Sequence, residues 1–195
     1  MKKDNKCRLY LLLAGLLANV VCTVLVAVLH IETTAMKVVG SYAAVILAAL
    51  AAWRFPMSFY LSVIGFVFFA SSLGSCVNLY RHVGFYDLFV HYLSGIVLAQ
   101  GGEWIGAALL HKRGLAEDRL VKSLFAFFFS CAGAGFWEIY EFTADLLLNA
   151  QMQGSKGNTM GDIIAGTLGA LTWLLVFALL SRRKKDKNAS SHKTM

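Results

Sequence analysis

Residues 9–29 have the sequence LYLLLAGLLANVVCTVLVAVL, in which no side chain carries a charge. A helix needs about 20 apolar residues to cross the roughly 30 Å hydrocarbon core of a bilayer, so this run is long enough to span it. The run is also longer than the core of a secretory signal, which has roughly 7–15 residues, and no clear A-x-A cleavage site follows it. We therefore interpret it as a retained membrane span.

The composition of the whole chain agrees with this interpretation. Of the 195 residues, 58% are hydrophobic and 15% are charged, whereas soluble domains average about 45–50% and about 25%. Apolar runs at 9–29, 38–53, 57–77, 88–110, 124–147 and 160–180 predict about six spans, of which the second is the shortest. The sequence thus predicts an all-α, polytopic transmembrane helical bundle that forms a single integral membrane domain over residues 1–195.

The basic residues predict the orientation of this bundle. If the loops alternate between the two sides of the membrane, all but three of the 18 Lys and Arg residues fall on one side. Cytoplasmic loops carry an excess of Lys and Arg, so we expect both termini in the cytoplasm. The basic tail at 181–195 is then an orientation signal that touches anionic lipid headgroups. The net charge of +7 is explained in this way, and no nucleic-acid partner is expected.

Acidic residues inside the apolar runs are the main functional signal. Carboxylates at the centre of a membrane helix cost at least about 2.5–3.5 kcal/mol on insertion scales, so they should face the bundle interior. Six acids lie within these runs or within one turn of their ends: Asp87, Glu103, Glu138, Glu141, Asp145 and Asp162. On the predicted topology five of them fall in the outer half of the membrane, together with His91. Glu103 is the exception and is interpreted as a separate interfacial residue.

Helical spacing predicts that these side chains share faces. Asp87 and His91 lie about 40° apart on the fourth span, and Asp162 shares its face of the sixth span with Gly166 and Gly169. The fifth span carries three acids within an arc of about 60°, namely Glu138, Glu141 and Asp145. Small residues allow helix backbones to approach closely, so the three polar patches can meet.

A divalent cation site is one interpretation of this pattern. Carboxylates and an imidazole are ligands that suit Mg, Mn or Zn, depending on the geometry. The predicted metal ligands are His91, Glu138, Glu141, Asp145 and Asp162. If the protein is an enzyme, the predicted catalytic residues are Glu138, Glu141, His91 and Asp87. A bound metal would also relieve the repulsion among closely spaced carboxylates.

Structural roles are the alternative for several of these residues. His91 can simply hydrogen-bond a neighbouring helix. Asp87 and Asp162 fall in the first turns of their predicted helices, where a negative charge is favoured by the helix dipole. Glu138 fits such an explanation least well, because it lies deep within its span and caps nothing.

Three blocks of sequence around these residues resemble a known family. They are YDLFVHYLSG at 86–95, FWEIYEF at 136–142 and NTMGDIIAG at 158–166, the last followed by Gly169. Together they are similar to the YjdF-like family of bacterial inner-membrane proteins and, more distantly, to VanZ-type membrane proteins. The resemblance implies a bacterial cytoplasmic membrane but no particular reaction. The arginine that VanZ-type proteins tend to carry shortly before the last aspartate is absent, and Lys156 is the nearest basic residue.

The sequence leaves three functions open. The first is metal-dependent action on a lipid-linked or envelope substrate, with membrane lipids as the surrounding partners. The second is a small proton- or cation-coupled transporter, in which the carboxylates and His91 form a relay. The third is a non-catalytic membrane scaffold whose charges pair for assembly.

Overall fold

A computed structural model describes the backbone of residues 2–148 and 152–193 and the side chains of residues 4–148 and 152–179. Within these residues every regular element is helical, which confirms the all-α prediction. The helices are α1 (Lys2–Val28), α2 (Ala35–Ala51), α3 (Met57–Val67), α4 (Leu79–His82), α5 (Tyr86–Lys112), α6 (Arg119–Leu148) and α7 (Lys156–Lys193). A π-helical segment, Phe68–Cys76, continues α3.

Five stretches are long and apolar enough to cross a membrane. They are Asp4–Val28, Met57–Cys76, Tyr86–Lys112, Arg119–Leu148 and Lys156–Leu179. Helix α2 is apolar but has only 17 residues, in agreement with its prediction as the shortest span. Large apolar side chains point outward from these helices, for example Leu17, Leu47 and Leu147, each more than three-fifths exposed. The protein is therefore a multi-pass membrane protein whose outer surface suits lipid.

The last helix differs from its predicted span at both ends. It begins at Lys156, four residues before the predicted start, and its backbone continues as a helix to Lys193. The predicted basic tail at 181–195 thus extends the helix as far as Lys193, but its side chains lie outside the described residues. The early start changes the position of Asp162 within the helix.

The chain divides into two compact units, residues 1–90 and 91–195, and the division falls inside α5. In the first unit α1, α2, α3 and the π-helical segment pack together. Two small groups of buried residues form its core, one around Tyr60 and Ile64 and the other around Cys22 and Cys76. Neutral polar groups join its helices, since Asn19 Nδ2 donates to Ser41 Oγ at 2.9 Å.

In the second unit the helices approach each other through small residues. A methyl group built on Gly95 of α5 would overlap the backbone carbonyl of Gly166 on α7, and one on Gly169 would overlap the carbonyl of Tyr92. Ser130 of α6 donates its hydroxyl to the Gly95 carbonyl oxygen at 3.0 Å. Contact between backbones brings the polar faces of these three helices together, as the small residues in the sequence predict.

Candidate metal centre

Helix α5 places Asp87 and His91 on one face. Asp87 is the second residue of the helix, and His91 follows one turn later. Residues four apart in a helix are neighbours on its surface. Asp87 is half-buried, while His91 is buried, with 6% of its surface exposed. Asp87 therefore lies in the first turn, as predicted.

Helix α7 places Asp162 in its second turn, because the helix begins at Lys156. The alternative in which Asp162 caps the helix start is therefore wrong, and the reason is the extra turn before it. Asp162 is fully buried. Its Oδ2 accepts a hydrogen bond from Asn158 Nδ2 at 2.6 Å, across one turn of the same helix.

These three residues converge. Asp87, His91 and Asp162 each offer a ligand atom, and the three atoms all lie within 4.8 Å of one another. Metal–ligand bonds of about 2.1 Å place two ligands on opposite sides of an ion about 4.2 Å apart, and closer in other positions. The observed spacing needs only small side-chain adjustments to reach this value. The cluster can therefore hold a metal ion.

Glu138 of α6 borders the cluster. It is buried, with 5% of its surface exposed, and its Oε1 lies 3.9 Å from His91 Nε2. Both carboxylate oxygens are buried, and neither has a hydrogen-bond partner among the described residues. A buried carboxylate without hydrogen bonds is costly unless a positive charge lies nearby. A protonated His91 or a metal cation beside it would supply that charge.

The other two acids of α6 are engaged elsewhere. Glu141 is buried, and its Oε1 accepts a hydrogen bond from Trp137 Nε1 at 2.8 Å. Asp145 accepts hydrogen bonds from the backbone N–H groups of Met152 and Gln153, at 2.6 and 2.8 Å. Neither residue belongs to the group of Asp87, His91 and Asp162. Of the five predicted metal ligands, the structure thus groups His91 and Asp162, together with Asp87, and places Glu138 next to His91.

Gly166 holds the three helices together beside the centre. A methyl group on this residue would lie 3.3 Å from Ala134 Cβ of α6 and 3.6 Å from the His91 carbonyl oxygen of α5. Gly166 follows Asp162 by one turn, so the closest packing of the helices lies directly beside the acidic residues. A methyl group here would press on Ala134 and reach ordinary contact distance from the His91 carbonyl, so little free space remains between the three helices.

Two partners of the site residues were not predicted from the sequence. Asn158 donates to Asp162, and Trp137 donates to Glu141. In both pairs the residues are four apart, the spacing at which helical side chains meet. This spacing is visible in the sequence and could have predicted both hydrogen bonds. Glu103 is separate from the cluster, as expected, and accepts a hydrogen bond from Trp173 Nε1 at 3.2 Å.

A family model described as "Predicted membrane protein (DUF2238)" matches residues 8–183. The chain belongs to this family. The match covers all the residues of the candidate centre and confirms the resemblance to the YjdF-like family, which is the same family. The likeness to VanZ-type proteins stays a prediction. Neither the comparison with curated proteins nor that with solved structures finds a significant match.

Proposed function

We propose that this member of the DUF2238 family binds a divalent metal ion and uses it to act on a lipid-linked or envelope substrate. The observation that carries the proposal is the convergence of Asp87, His91 and Asp162 within 4.8 Å. An acidic cluster alone is weak support, because such groups are common without a metal. The buried Glu138 carboxylate beside His91, with neither oxygen hydrogen-bonded, is an independent observation that favours a cation at this place.

The ligand set favours Zn²⁺ or Mn²⁺ over Mg²⁺. Imidazole is a ligand typical of zinc and other transition metals, while carboxylates alone suit magnesium and calcium. Asp87, His91 and Asp162 offer one imidazole and two carboxylates. Three protein ligands leave a coordination position for water, as in catalytic zinc sites.

Glu138 is the residue we assign to proton transfer. A metal ion makes a bound water easier to deprotonate at neutral pH. The Glu138 oxygens lie close to the cluster and make no hydrogen bond within the described residues, so they can accept the proton. This arrangement suits hydrolysis, in which the water oxygen would bond to an electrophilic phosphorus or carbonyl carbon, the bond to the leaving oxygen would break, and Glu138 would pass its proton to that oxygen.

The surroundings of the cluster support a substrate held in the membrane. His91, Glu138 and Asp162 are buried, and Asp87, in the first turn of α5, is the more exposed member. A substrate would therefore approach along Asp87, near the end of a membrane span. Lipid headgroups and lipid-linked envelope precursors present phosphate groups at that depth. On the predicted topology this is the outer leaflet of a bacterial inner membrane.

Metal analysis of the purified protein tests the proposal most directly. After equilibration with Zn²⁺, Mn²⁺ or Mg²⁺ and removal of unbound ion, we expect about one Zn²⁺ or Mn²⁺ per chain. His91→Ala and Asp162→Asn should each lower the affinity at least tenfold. The two matched controls both lie in α5. His111→Ala removes an imidazole at the exposed end of this helix, and Glu103→Gln removes a carboxylate from it. Both controls should bind metal like the wild type.

Two outcomes would remove the proposal. One is a wild-type protein that retains none of the three ions and gains no thermal stability from them. The other is equal metal binding by the site variants and their controls.

A second assay separates an enzyme from a transporter. The metal-loaded protein is placed in vesicles made of total bacterial lipid, and mass spectrometry follows the release of headgroups or lipid-linked products. Product formation that requires metal and is lost in Glu138→Gln supports the enzyme. Metal-dependent ion or solute uptake without product formation would favour the transporter instead.

A further inference from the structure

A second polar site lies in the first unit, at the N-terminal end of the apolar run of α1. An open cavity of about 630 Å³ is present there, and its walls are formed by Asp4, Asn5, Arg8, Trp53, Arg54 and Met57. These residues belong to the start of α1, to the connection from α2 to α3 and, for Met57, to the first position of α3. The cavity is therefore unrelated to the candidate metal centre.

Arg8 is unusual because it is charged yet only 8% exposed. Its Nη2 donates to the carbonyl oxygen of Phe55 at 2.7 Å, and its guanidinium lies over the ring of Tyr60, 5.1 Å from the centroid. Tyr60 in turn donates its hydroxyl to the backbone carbonyl of Arg8 at 3.0 Å. These contacts hold the guanidinium in one position.

The other terminal nitrogen of Arg8 lacks a hydrogen-bond acceptor within the described part of the chain. Nη1 is buried, and no group among the described residues accepts a hydrogen bond from it. A buried charged donor without an acceptor is costly. An anionic ligand with oxygen acceptors in the adjoining cavity would remove this cost.

The other walls of the cavity also favour an anion at headgroup depth. Arg54 is exposed and brings a second positive charge, against the single negative charge of Asp4. Trp53 is next to it, and tryptophan and arginine at the ends of membrane spans are typical of the headgroup layer. Leu9 and Leu13 on α1 are about half exposed just beyond Arg8, which leaves an apolar surface for acyl chains.

We propose that this cavity binds the phosphate group of an anionic membrane lipid. A small shift of the Arg8 side chain, which lines the cavity, lets the buried Nη1 donate to a phosphate oxygen. Arg54 supplies the second charge, and the acyl chains lie along the exposed leucines of α1. Arginine suits this role because its planar guanidinium pairs well with phosphate. Free phosphate has the same headgroup chemistry but lacks the chains, so the experiment treats it as a separate ligand.

The test uses the full chain purified in detergent. Native mass spectrometry measures lipid retained after addition of phosphatidylglycerol or phosphatidylcholine, and thermal unfolding is followed with each lipid and with inorganic phosphate. We expect retention of phosphatidylglycerol and a higher melting temperature with this lipid only. Arg54→Gln should weaken phosphatidylglycerol binding about fivefold, since one basic residue near a charged surface contributes about that much.

Arg113→Gln is the matched control, because Arg113 is an exposed cation just after the end of α5. It should leave binding unchanged. Arg8→Met should abolish phosphatidylglycerol binding. If Arg8→Met fails to fold, Arg54→Gln still tests the proposal. Equal retention of the two lipids, or an equal loss in Arg54→Gln and Arg113→Gln, would overturn the proposal. Stabilisation by free phosphate as large as that by phosphatidylglycerol would also overturn it, in favour of a soluble ligand.

Discussion

The two units of the protein bury polar groups of different kinds. In the first unit neutral side chains join α1 to α2: Asn19 donates to Ser41, and Thr23 Oγ1 lies 3.2 Å from the Tyr42 hydroxyl. In the second unit Ser130 also joins two helices, but the ionisable groups His91, Glu138 and Asp162 are buried there as well. Neutral hydrogen bonds between membrane helices contribute roughly 0.6–2 kcal/mol each, whereas buried ionisable groups are costly and usually functional. The difference agrees with the proposed function, in which neutral contacts assemble the first unit and the buried ionisable groups of the second supply the chemistry.

The helix contacts of the second unit should be the most sensitive feature of the molecule. Gly95→Ala places a methyl group against the backbone of Gly166, which cannot move without separating α5 from α7. We expect the free energy of unfolding to fall by at least about 3 kcal/mol, measured by titration with SDS in mixed micelles. This loss outweighs the gain of about 1 kcal/mol from replacing glycine within a helix.

Gly135→Ala is the control for this substitution. Gly135 lies in α6, and a methyl group there would meet nothing within 4 Å. It should stabilise the protein slightly or leave it unchanged. If Gly95→Ala is as stable as Gly135→Ala, the close contact between the two backbones is not required.

Placing a charge in the first unit should be the next most damaging change. Asn19→Asp has nearly the same shape, but an ionised carboxylate cannot donate to Ser41. Asn19 is fully buried, so we expect a loss of about 2.5 kcal/mol, close to the insertion cost of an aspartate. Chemical unfolding in mixed micelles measures it. Asn5→Asp, at an exposed position, should have little effect, and equal losses in the two variants would contradict the assembly role of the neutral contact.

Removing a charge from the second unit should raise the free energy of unfolding of the metal-free protein, whereas adding one to the first unit lowers it. In metal-free protein, Glu138→Gln removes a buried carboxylate that makes no hydrogen bond within the described residues, and we expect a gain of about 1 kcal/mol. With saturating Zn²⁺ the gain should shrink or reverse, because the bound cation then stabilises the nearby Glu138 carboxylate and would not stabilise a neutral amide in the same way. Thermal unfolding with and without Zn²⁺ measures both effects. A variant less stable than the wild type in both conditions would make Glu138 a structural ion-pair partner of His91.

Much of the difference between the two units could be predicted from the sequence, because it depends on the length of the apolar runs and on the spacing of residues along a helix. The spans and the pairing of Asp87 with His91 follow from these two quantities alone. The spacing could not separate Glu138 from Glu141, since both fall on one face of α6. Their difference depends on Trp137, which hydrogen-bonds Glu141 and leaves Glu138 facing His91.

Other features depend on tertiary contacts and carry no local signal. The π-helical segment Phe68–Cys76 carries no proline or other residue that would predict its wider turns, and it packs against α1 and α2. The burial of Arg8 could not be predicted either. A basic residue at the start of a span normally lies among headgroups, and here Phe55 and Tyr60 bury it.

The smallest expected effect concerns an ion pair at the end of a span, between Glu117, which precedes α6, and Lys122, in the first turn of α6. Lys122 Nζ donates to Glu117 Oε2 at 2.6 Å, and this hydrogen bond and charge hold the pKa of Glu117 below its ordinary value of 4.5. A lowered carboxylate pKa stabilises the folded state above the ordinary pKa, and this contribution is lost as the pH falls through the lowered value. Lys122→Met should return the Glu117 pKa towards 4.5, as NMR titration of labelled glutamate would detect. Stability at neutral pH should hardly change, because Glu117 is exposed and ion pairs at the surface contribute little; a large loss would mean that charges at the end of the span also help to hold the second unit together.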